Sequence, residues 1–165
     1  MPGVYLIWGI SLKRKQRLNL INTIIQNMGA WGYGIFDDDT AYDFTNEIKS
    51  DARAFFISSF ENAIHTKYVA YDECHMVTVS AAYLDNHLNG TNYRTDSKDE
   101  KDERNVNNFR ELQRGLKLDD LKEMAIQALK KVISEASELN ELWSENEALY
   151  PKWKENIEEL IKRLK

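Results

Sequence analysis

Four aspartates follow a glycine-rich segment near the start of the chain. Asp37, Asp38 and Asp39 are consecutive, and Asp43 lies one helical turn further on. Grouped carboxylates can bind Ca²⁺ or Mg²⁺, but these lack the regular ligand spacing and distal Glu of an EF-hand loop. Aspartate before a periodic segment also caps a helix, and carboxylates in the first turn suit the helix dipole. We therefore expect a helix cap, with a binding or metal site as the alternative.

A second group with chemical potential is the Asp-Glu-Cys-His segment at 72–75. Asp72 and His75 are three residues apart, so they share a helix face. A di-iron bundle needs a second Glu-x-x-His, which the chain lacks, and a zinc site needs ligands from elsewhere. Cys74 lies on the apolar stripe of the same segment, which predicts a buried, inert thiol. No metal, cofactor or catalytic set is expected.

The segment 29–36, Gly-Ala-Trp-Gly-Tyr-Gly-Ile-Phe, is too rich in glycine for a stable helix. No strand is predicted before it, and no Gly-Lys-Ser/Thr or Gly-x-Gly-x-x-Gly pattern follows, so it is not a phosphate-binding loop. We expect a folded loop whose aromatic residues Trp31 and Phe36 pack onto the helices.

The rest of the chain predicts an all-α fold, a small bundle of about five helices with the glycine/aromatic loop packed on it. Apolar residues recur every three or four positions over about 51–66 and 72–88, and the second of these ends at Asn89-Gly90. The same spacing runs from Leu118 to Trp143, which predicts one helix of about seven turns, and Pro151 suits the start of a last helix. The polar segment 91–108 is predicted to be a mobile charged loop.

Charge is distributed unevenly along the chain. The net charge is −5, and residues 1–27 contain four basic and no acidic residues, so residues 28–165 carry −9. An acidic domain repels phosphate backbones, so we do not expect it to bind nucleic acid. We expect a basic protein partner instead. No run reaches the length of a membrane span. The chain has one cysteine, which excludes an internal disulfide. We therefore expect a cytoplasmic protein, and one without membrane contact. No feature of the sequence sets the oligomeric state.

Two blocks carry a family resemblance. Residues 28–44, Met-Gly-Ala-Trp-Gly-Tyr-Gly-Ile-Phe-Asp-Asp-Asp-Thr-Ala-Tyr-Asp-Phe, closely resemble the opening of a mainly bacterial family catalogued as domain of unknown function 4259. Residues 136–143, Ala-Ser-Glu-Leu-Asn-Glu-Leu-Trp, resemble a second block of that family. The resemblance covers Met28 to Lys165. It implies a small intracellular α-helical domain with no assigned activity, and it supplies no catalytic residues.

The resemblance also predicts where the domain begins. Family members usually start at the position of Met28, so residues 1–27 are expected to be an extension outside the fold, and residues 28–165 a single helical domain. Our hypothesis is that the extension is upstream DNA translated from a misplaced start. The intact mass of the natively expressed protein tests this, since a mass that includes residues 1–27 contradicts it.

The two blocks are predicted to meet. Ser137 and Glu138 are expected in the middle of the long helix, with Glu138 bonded to the N-terminal loop as a structural lock. The alternative is a functional pocket enclosed by the same blocks. The candidate binding residues are Trp31, Phe36, Asp38, Asp39, Asp43, Glu138 and Trp143.

Two functions follow from these observations. The first is a non-catalytic cytoplasmic binding protein that neutralises a basic protein partner, as immunity and antitoxin proteins do. The second is a small-ligand or metal-dependent enzyme that uses carboxylates near the Gly/Trp loop. The charge and the missing catalytic set favour the first.

Overall fold

The computed structural model describes residues 32–95, 102 and 104–165 of the chain. The predicted all-α class is confirmed, because these residues form helices and no strand. Trp31, the predicted extension 1–27 and the middle of the charged segment, residues 96–101 and 103, lie outside the described residues.

Seven α-helices occur in the described part of the chain, and five of them have seven or more residues, in line with the predicted bundle. The helices are α1 (Asp39–Asp43), α2 (Thr45–His65), α3 (Tyr71–Asn89), α4 (Phe109–Leu112), α5 (Lys122–Val132), α6 (Glu138–Ser144) and α7 (Tyr150–Leu164). Two short 3-10 turns, Val106–Asn108 and Asp119–Leu121, precede α4 and α5.

Helix α3 is the centre of the fold. Every residue from 77 to 86 is buried, and the helix contacts α2, α5, α6 and α7. A helix that is buried all round has core neighbours on every side. It ends as predicted at Gly90, whose φ of 72° is the left-handed conformation that glycine adopts without steric cost.

Helix α2 bends at the position where the sequence predicts a helix to begin. Asp51 has non-helical dihedral angles, φ −152° and ψ 87°. Its Oδ1 accepts a hydrogen bond of 3.1 Å from the Ala54 backbone N–H, as a capping residue does. The predicted helix 51–66 is therefore the larger, C-terminal part of α2.

The predicted seven-turn helix from Leu118 to Trp143 is wrong. The chain leaves the helical conformation after Val132 and starts α6 at Glu138. Ser137 is the N-cap of α6, since its Oγ accepts a 3.3 Å hydrogen bond from the Asn140 N–H. The apolar spacing continues across the break because α5 and α6 both turn apolar residues towards the same core.

The two ends of the charged segment 91–108 pack on the domain. The Asn107 side chain accepts from the Tyr93 N–H at 2.7 Å and donates to the Tyr93 carbonyl at 2.9 Å. Val106 is 1% exposed, and the Tyr83 hydroxyl donates to the Arg104 carbonyl at 2.6 Å. The packed part of the domain therefore extends further into this segment than its polar sequence indicates.

Candidate functional site

Two of the four clustered aspartates hold the glycine/aromatic loop in place. Asp38 is the N-cap of α1, and its Oδ1 accepts a 2.8 Å hydrogen bond from the Thr40 N–H, which confirms the predicted cap. Asp37 accepts a 2.9 Å bond from the Gly34 N–H and pairs with the Arg94 guanidinium. Asp37 and Asp38 are both only 4% exposed.

The loop needs glycine where Asp37 folds back on it. A Cβ atom on Gly34 would lie 2.8 Å from Asp37 Oδ2, closer than a carbon atom and a carboxylate oxygen can approach. A Cβ on Gly32 would also collide with this carboxylate. The glycines therefore permit the close approach of a buried side chain.

Phe36 anchors the loop to the core, as expected from the sequence. It is 3% exposed, and its ring lies 5.8 to 6.2 Å from the rings of Tyr42, Tyr83 and Tyr93. These tilted and edge-on arrangements are the favourable geometries for aromatic pairs.

Tyr71 joins the two sequence blocks, a role that no sequence pattern indicates. Its hydroxyl donates a 2.6 Å hydrogen bond to Asp38 Oδ2, while its backbone N–H donates a 2.8 Å bond to Glu138 Oε2. Glu138 thus reaches the loop through the first residue of α3 rather than directly. Burial and the Asp38 carboxylate raise the pKa of Tyr71, so its hydroxyl stays protonated and remains a donor.

Backbone pairing strengthens the same junction. Val69 and Ser137 form a parallel bridge, with hydrogen bonds of 2.9 Å from Val69 N–H to Ala136 and 3.0 Å from Glu138 N–H to Val69. Ser137 was predicted in the middle of a helix, and this pairing is a physical reason why the helix is interrupted there. The predicted burial of Cys74 is confirmed, and its Sγ lies 3.2 Å from Ser137 Oγ. Burial raises the pKa of the Cys74 thiol, which keeps it protonated.

A small cavity of about 20 Å³ lies between the loop and the second block. This volume is close to that of a single water molecule. Asp38, His75, Thr78 and Trp143 are among the residues that line it, together with Trp153, whose ring stacks on Trp143 at 5.9 Å. The contact between the two blocks is therefore mostly packed.

His75 is the unusual residue of this cavity. It is 5% exposed, and neither ring nitrogen makes a hydrogen bond within the part of the chain that the structure describes. Its Nε2 lies 3.5 Å from Asp38 Oδ2. Burial lowers the pKa of His75, although the Asp38 and Asp72 carboxylates act in the opposite direction. The imidazole is therefore neutral at physiological pH.

An acidic face lies where the first turns of α3 and α6 meet. We define it by Tyr68, Asp72, Glu73, Glu138 and Glu141. The Tyr68 hydroxyl donates a 2.7 Å bond to Glu141 Oε2, and the Ala70 N–H donates a 3.1 Å bond to Glu73 Oε2. Tyr68 is 44% exposed and bonded to Glu141, and the other three carboxylates lie in the first turns of α3 and α6.

A second surface feature is an open cleft of about 360 Å³ on the other side of the loop. The loop residues 33–37 and the segment 91–94 form two of its walls, and one side of α7 forms the third. Pockets of roughly 300 to 1,000 Å³ are typical of small-molecule sites. No sequence pattern indicates this cleft, because its charged residues come from three separate segments of the chain, Asp37, Arg94, and Glu159 with Arg163.

The seven predicted binding residues are distributed over several places. Phe36 lines the open cleft, whereas Asp38 and Trp143 line the small cavity. Glu138 belongs to the acidic face, while Asp39 and Asp43 are exposed on α1. Trp31 lies outside the described residues. A binding role for these residues stays a prediction.

Residues 32–95, 102 and 104–165 contain neither a metal-binding cluster nor a helix that could span a membrane. No three His, Cys, Asp or Glu side chains in these ranges come together as a metal site requires. None of the helices there combines the length and apolar character needed to cross a membrane.

The helices, the locked loop and the two surface features define a small all-α domain with an acidic face and a separate polar cleft. Residues 29–156 match the family described as Domain of unknown function (DUF4259), and the chain belongs to that family. No curated protein and no solved structure matches the chain.

Proposed function

We propose that this chain is a non-catalytic cytoplasmic binding protein that engages a basic protein partner, as an immunity or antitoxin-like neutraliser does. The observation that carries the proposal is the acidic face, in which the exposed Tyr68 is bonded to Glu141 and four carboxylates occupy the first turns of α3 and α6. Tyrosine is one of the residue types that contribute most to protein interfaces.

The carboxylates of the acidic face are positioned to receive cationic side chains. Glu73, Glu138 and Glu141 each accept one hydrogen bond from the domain through Oε2, which fixes the side chain. A carboxylate has about four acceptor positions, so each retains capacity for Lys or Arg donors. Lys67 is the neighbouring cation in sequence, and the four carboxylates outnumber it.

The charge of the whole domain supports the same partner. Residues 28–165 carry −9, which attracts a basic protein and increases the rate of encounter at low salt. The net charge of the domain then attracts the partner over a distance, and the acidic face makes the specific contacts with it.

The carboxylates nearest the loop are less suited to an enzymatic role. Asp37 and Asp38 are buried, and each is engaged with a backbone N–H and a side chain. A catalytic carboxylate must contact the substrate. The carboxylate of Asp37 is instead bonded to the loop and Arg94, and that of Asp38 to α1 and Tyr71.

Affinity capture from the native host tests the proposal when it is combined with variants of the face. Asp72→Asn with Glu141→Gln removes two charges and keeps an oxygen that can accept the Tyr68 hydroxyl. The matched control is Asp119→Asn with Glu123→Gln, which removes two exposed charges near the start of α5. Circular dichroism establishes that both variants are folded.

We expect one basic protein to be retained by the wild type and by the control, and lost or strongly reduced with the face variant. Retention should also fall as salt rises, because exposed charge pairs are screened. Equal retention by all three proteins, or capture of no stoichiometric partner, would contradict the proposal.

A further inference from the structure

Two arginines of this acidic domain face the same cleft, and each is paired with a buried carboxylate. From this arrangement we infer that the open cleft binds a small organic anion, in which a carboxylate or phosphate group is attached to a flat apolar body. The site shares no residue with the acidic face, and its ligand has the opposite charge to the protein partner proposed above.

Arg163 is fixed on one wall by a buried network. Its Nε donates a 2.8 Å bond to Asp85 Oδ2, and its Nη2 donates a 3.2 Å bond to the Tyr93 hydroxyl. Asp85 is 0% exposed and also accepts from the Tyr93 hydroxyl at 2.5 Å and from Asn89 Nδ2 at 2.7 Å. A guanidinium that is already ordered loses little entropy when it binds an anion.

The Arg163 guanidinium also keeps donors for a ligand. Among the described residues its Nη1 has no hydrogen-bond partner, and its side chain is 35% exposed. Arginine presents paired N–H groups in a plane that match the two oxygens of a carboxylate or phosphate. One edge of Arg163 thus contacts the protein and another faces the cleft.

Arg94 provides the second cation from the segment 91–94. It pairs with Asp37, whose side chain is 6% exposed and which is also bound to the Gly34 N–H. The Arg94 side chain is 75% exposed. The buried Asp37 therefore orients the guanidinium at the mouth of the cleft, in the same way that Asp85 orients Arg163.

The remaining lining suits an apolar body with a polar group. Phe36 and Tyr93 contribute aromatic surface, and their rings lie 5.8 Å apart. Asn156 contributes an amide, which donates to the Tyr33 carbonyl at 3.1 Å and so supports the loop wall. Small-molecule sites commonly combine such apolar walls with a few fixed polar groups.

Two carboxylates line the cleft; Asp37 is paired with Arg94, and the second, Glu159, opposes the anion and provides a test of the proposal. Glu159 lines the cleft and pairs with Lys162 at 2.5 Å on the exposed side of α7. Because it is exposed, its removal should leave the fold intact while it makes the cleft more positive.

Backbone amide shifts in NMR spectra of the full chain test the site, with phenyl phosphate and benzoate as probes and benzyl alcohol as the neutral probe. We expect both anions to shift Tyr93, Arg94, Asn156 and Arg163, and the alcohol to bind more weakly. Arg94→Gln should weaken anion binding about tenfold, as expected for loss of a charge-assisted hydrogen bond. Glu159→Gln should strengthen it.

Matched controls separate the cleft from general surface charge. Arg114 is also 75% exposed and paired with a carboxylate, so Arg114→Gln should leave binding unchanged. Glu158→Gln, one residue from Glu159, should likewise have no effect. If Arg94→Gln does not fold, the comparison between Glu159→Gln and Glu158→Gln is sufficient to test the inference, because only Glu159→Gln should strengthen anion binding.

The two anions also distinguish the ligand class. Binding of phenyl phosphate alone supports a phosphate ligand, binding of benzoate alone supports a carboxylate ligand, and binding of both supports the shared anion chemistry. The inference is overturned if neither anion shifts the cleft, if the alcohol binds as tightly, or if the cleft variants bind like their controls.

Discussion

At the residue scale, the most informative side chain is His75, a buried imidazole that has no hydrogen-bond partner among the described residues. It gains nothing from its polar atoms in the folded state, and its protonated form is disfavoured by burial. The spacing of Asp72 and His75 suggested a metal ligand pair, whereas His75 actually lies against Asp38 of the loop. Sequence spacing along one helix could not reveal a neighbour that is 37 positions away in the chain.

His75 makes the stability of the domain depend on pH. Because its folded-state pKa lies below the ordinary 6.5, its contribution is complete above that pH and is lost as the pH falls below it. The unfolded chain then binds a proton that the folded chain does not. We expect the free energy of unfolding to fall as the pH drops below 6.5, with a slope of at most about 1.4 kcal/mol per pH unit.

Urea denaturation of His75→Leu at several pH values checks this expectation. The variant should lose most of this pH dependence and should be close to the wild type in stability at pH 8, because no hydrogen bond is removed. His65→Gln is the control, since His65 is exposed on α2. An unchanged slope in His75→Leu would assign the pH dependence to other groups.

Tyr71 and Tyr68 allow a comparison of two tyrosine hydroxyls that each donate to a carboxylate. Tyr71→Phe removes the bond to the buried Asp38 and should lower the free energy of unfolding by about 1 to 2 kcal/mol. Tyr68→Phe removes an exposed bond to Glu141, and we expect no measurable loss. Chemical denaturation of both variants measures the difference, and equal effects would contradict the role given to Tyr71.

At the element scale, the sequence predicts helices well and their junctions poorly. The apolar periodicity identified α2, α3 and α7, and Pro151 and Gly90 marked two of their ends correctly. The break between α5 and α6 was missed because the periodicity continues across it. Ser137 followed by Glu138 and Glu141 is an N-cap pattern that could have indicated it.

The candidate sites were less predictable than the helices. The cap at Asp38 is a local interaction, and it was predicted from the sequence. Tyr71 instead bonds to Asp38, which is 33 positions away in the chain, and to Glu138, which is 67 positions away. Asp85 appeared in no motif, since an aspartate on a buried helix is recognised only from its partners in space. Long-range polar contacts of this kind carry no periodic signal.

The Asp85 network joins α3 to α7, and its removal should loosen that contact. Asp85→Ala leaves Arg163, Tyr93 and Asn89 without their shared acceptor, so we expect a loss of about 3 kcal/mol in unfolding free energy. Asp119→Ala, at an exposed aspartate, should have little effect. Calorimetry or urea denaturation compares the two, and a loss as small as in the control would contradict the network.

At the scale of the whole molecule, acidic and basic side chains are concentrated on different surfaces. The acidic face carries Tyr68 and four carboxylates in the first turns of α3 and α6, whereas the open cleft contains two arginines held by buried aspartates. Such separation allows one domain to present a surface for a basic protein and a site for a small anion. Binding of the protein partner and binding of the small anion can be tested separately, because variants of the acidic face leave the open cleft unchanged and the reverse also holds.

The most direct test of the proposed function is hydrogen–deuterium exchange of the domain with and without its captured partner. We predict that the partner protects residues 67–73 and 137–142, which form and flank the acidic face, and that this protection is lost in the Asp72→Asn, Glu141→Gln variant. Protection confined to other parts of the domain, or protection that the variant retains in full, would contradict binding through the acidic face.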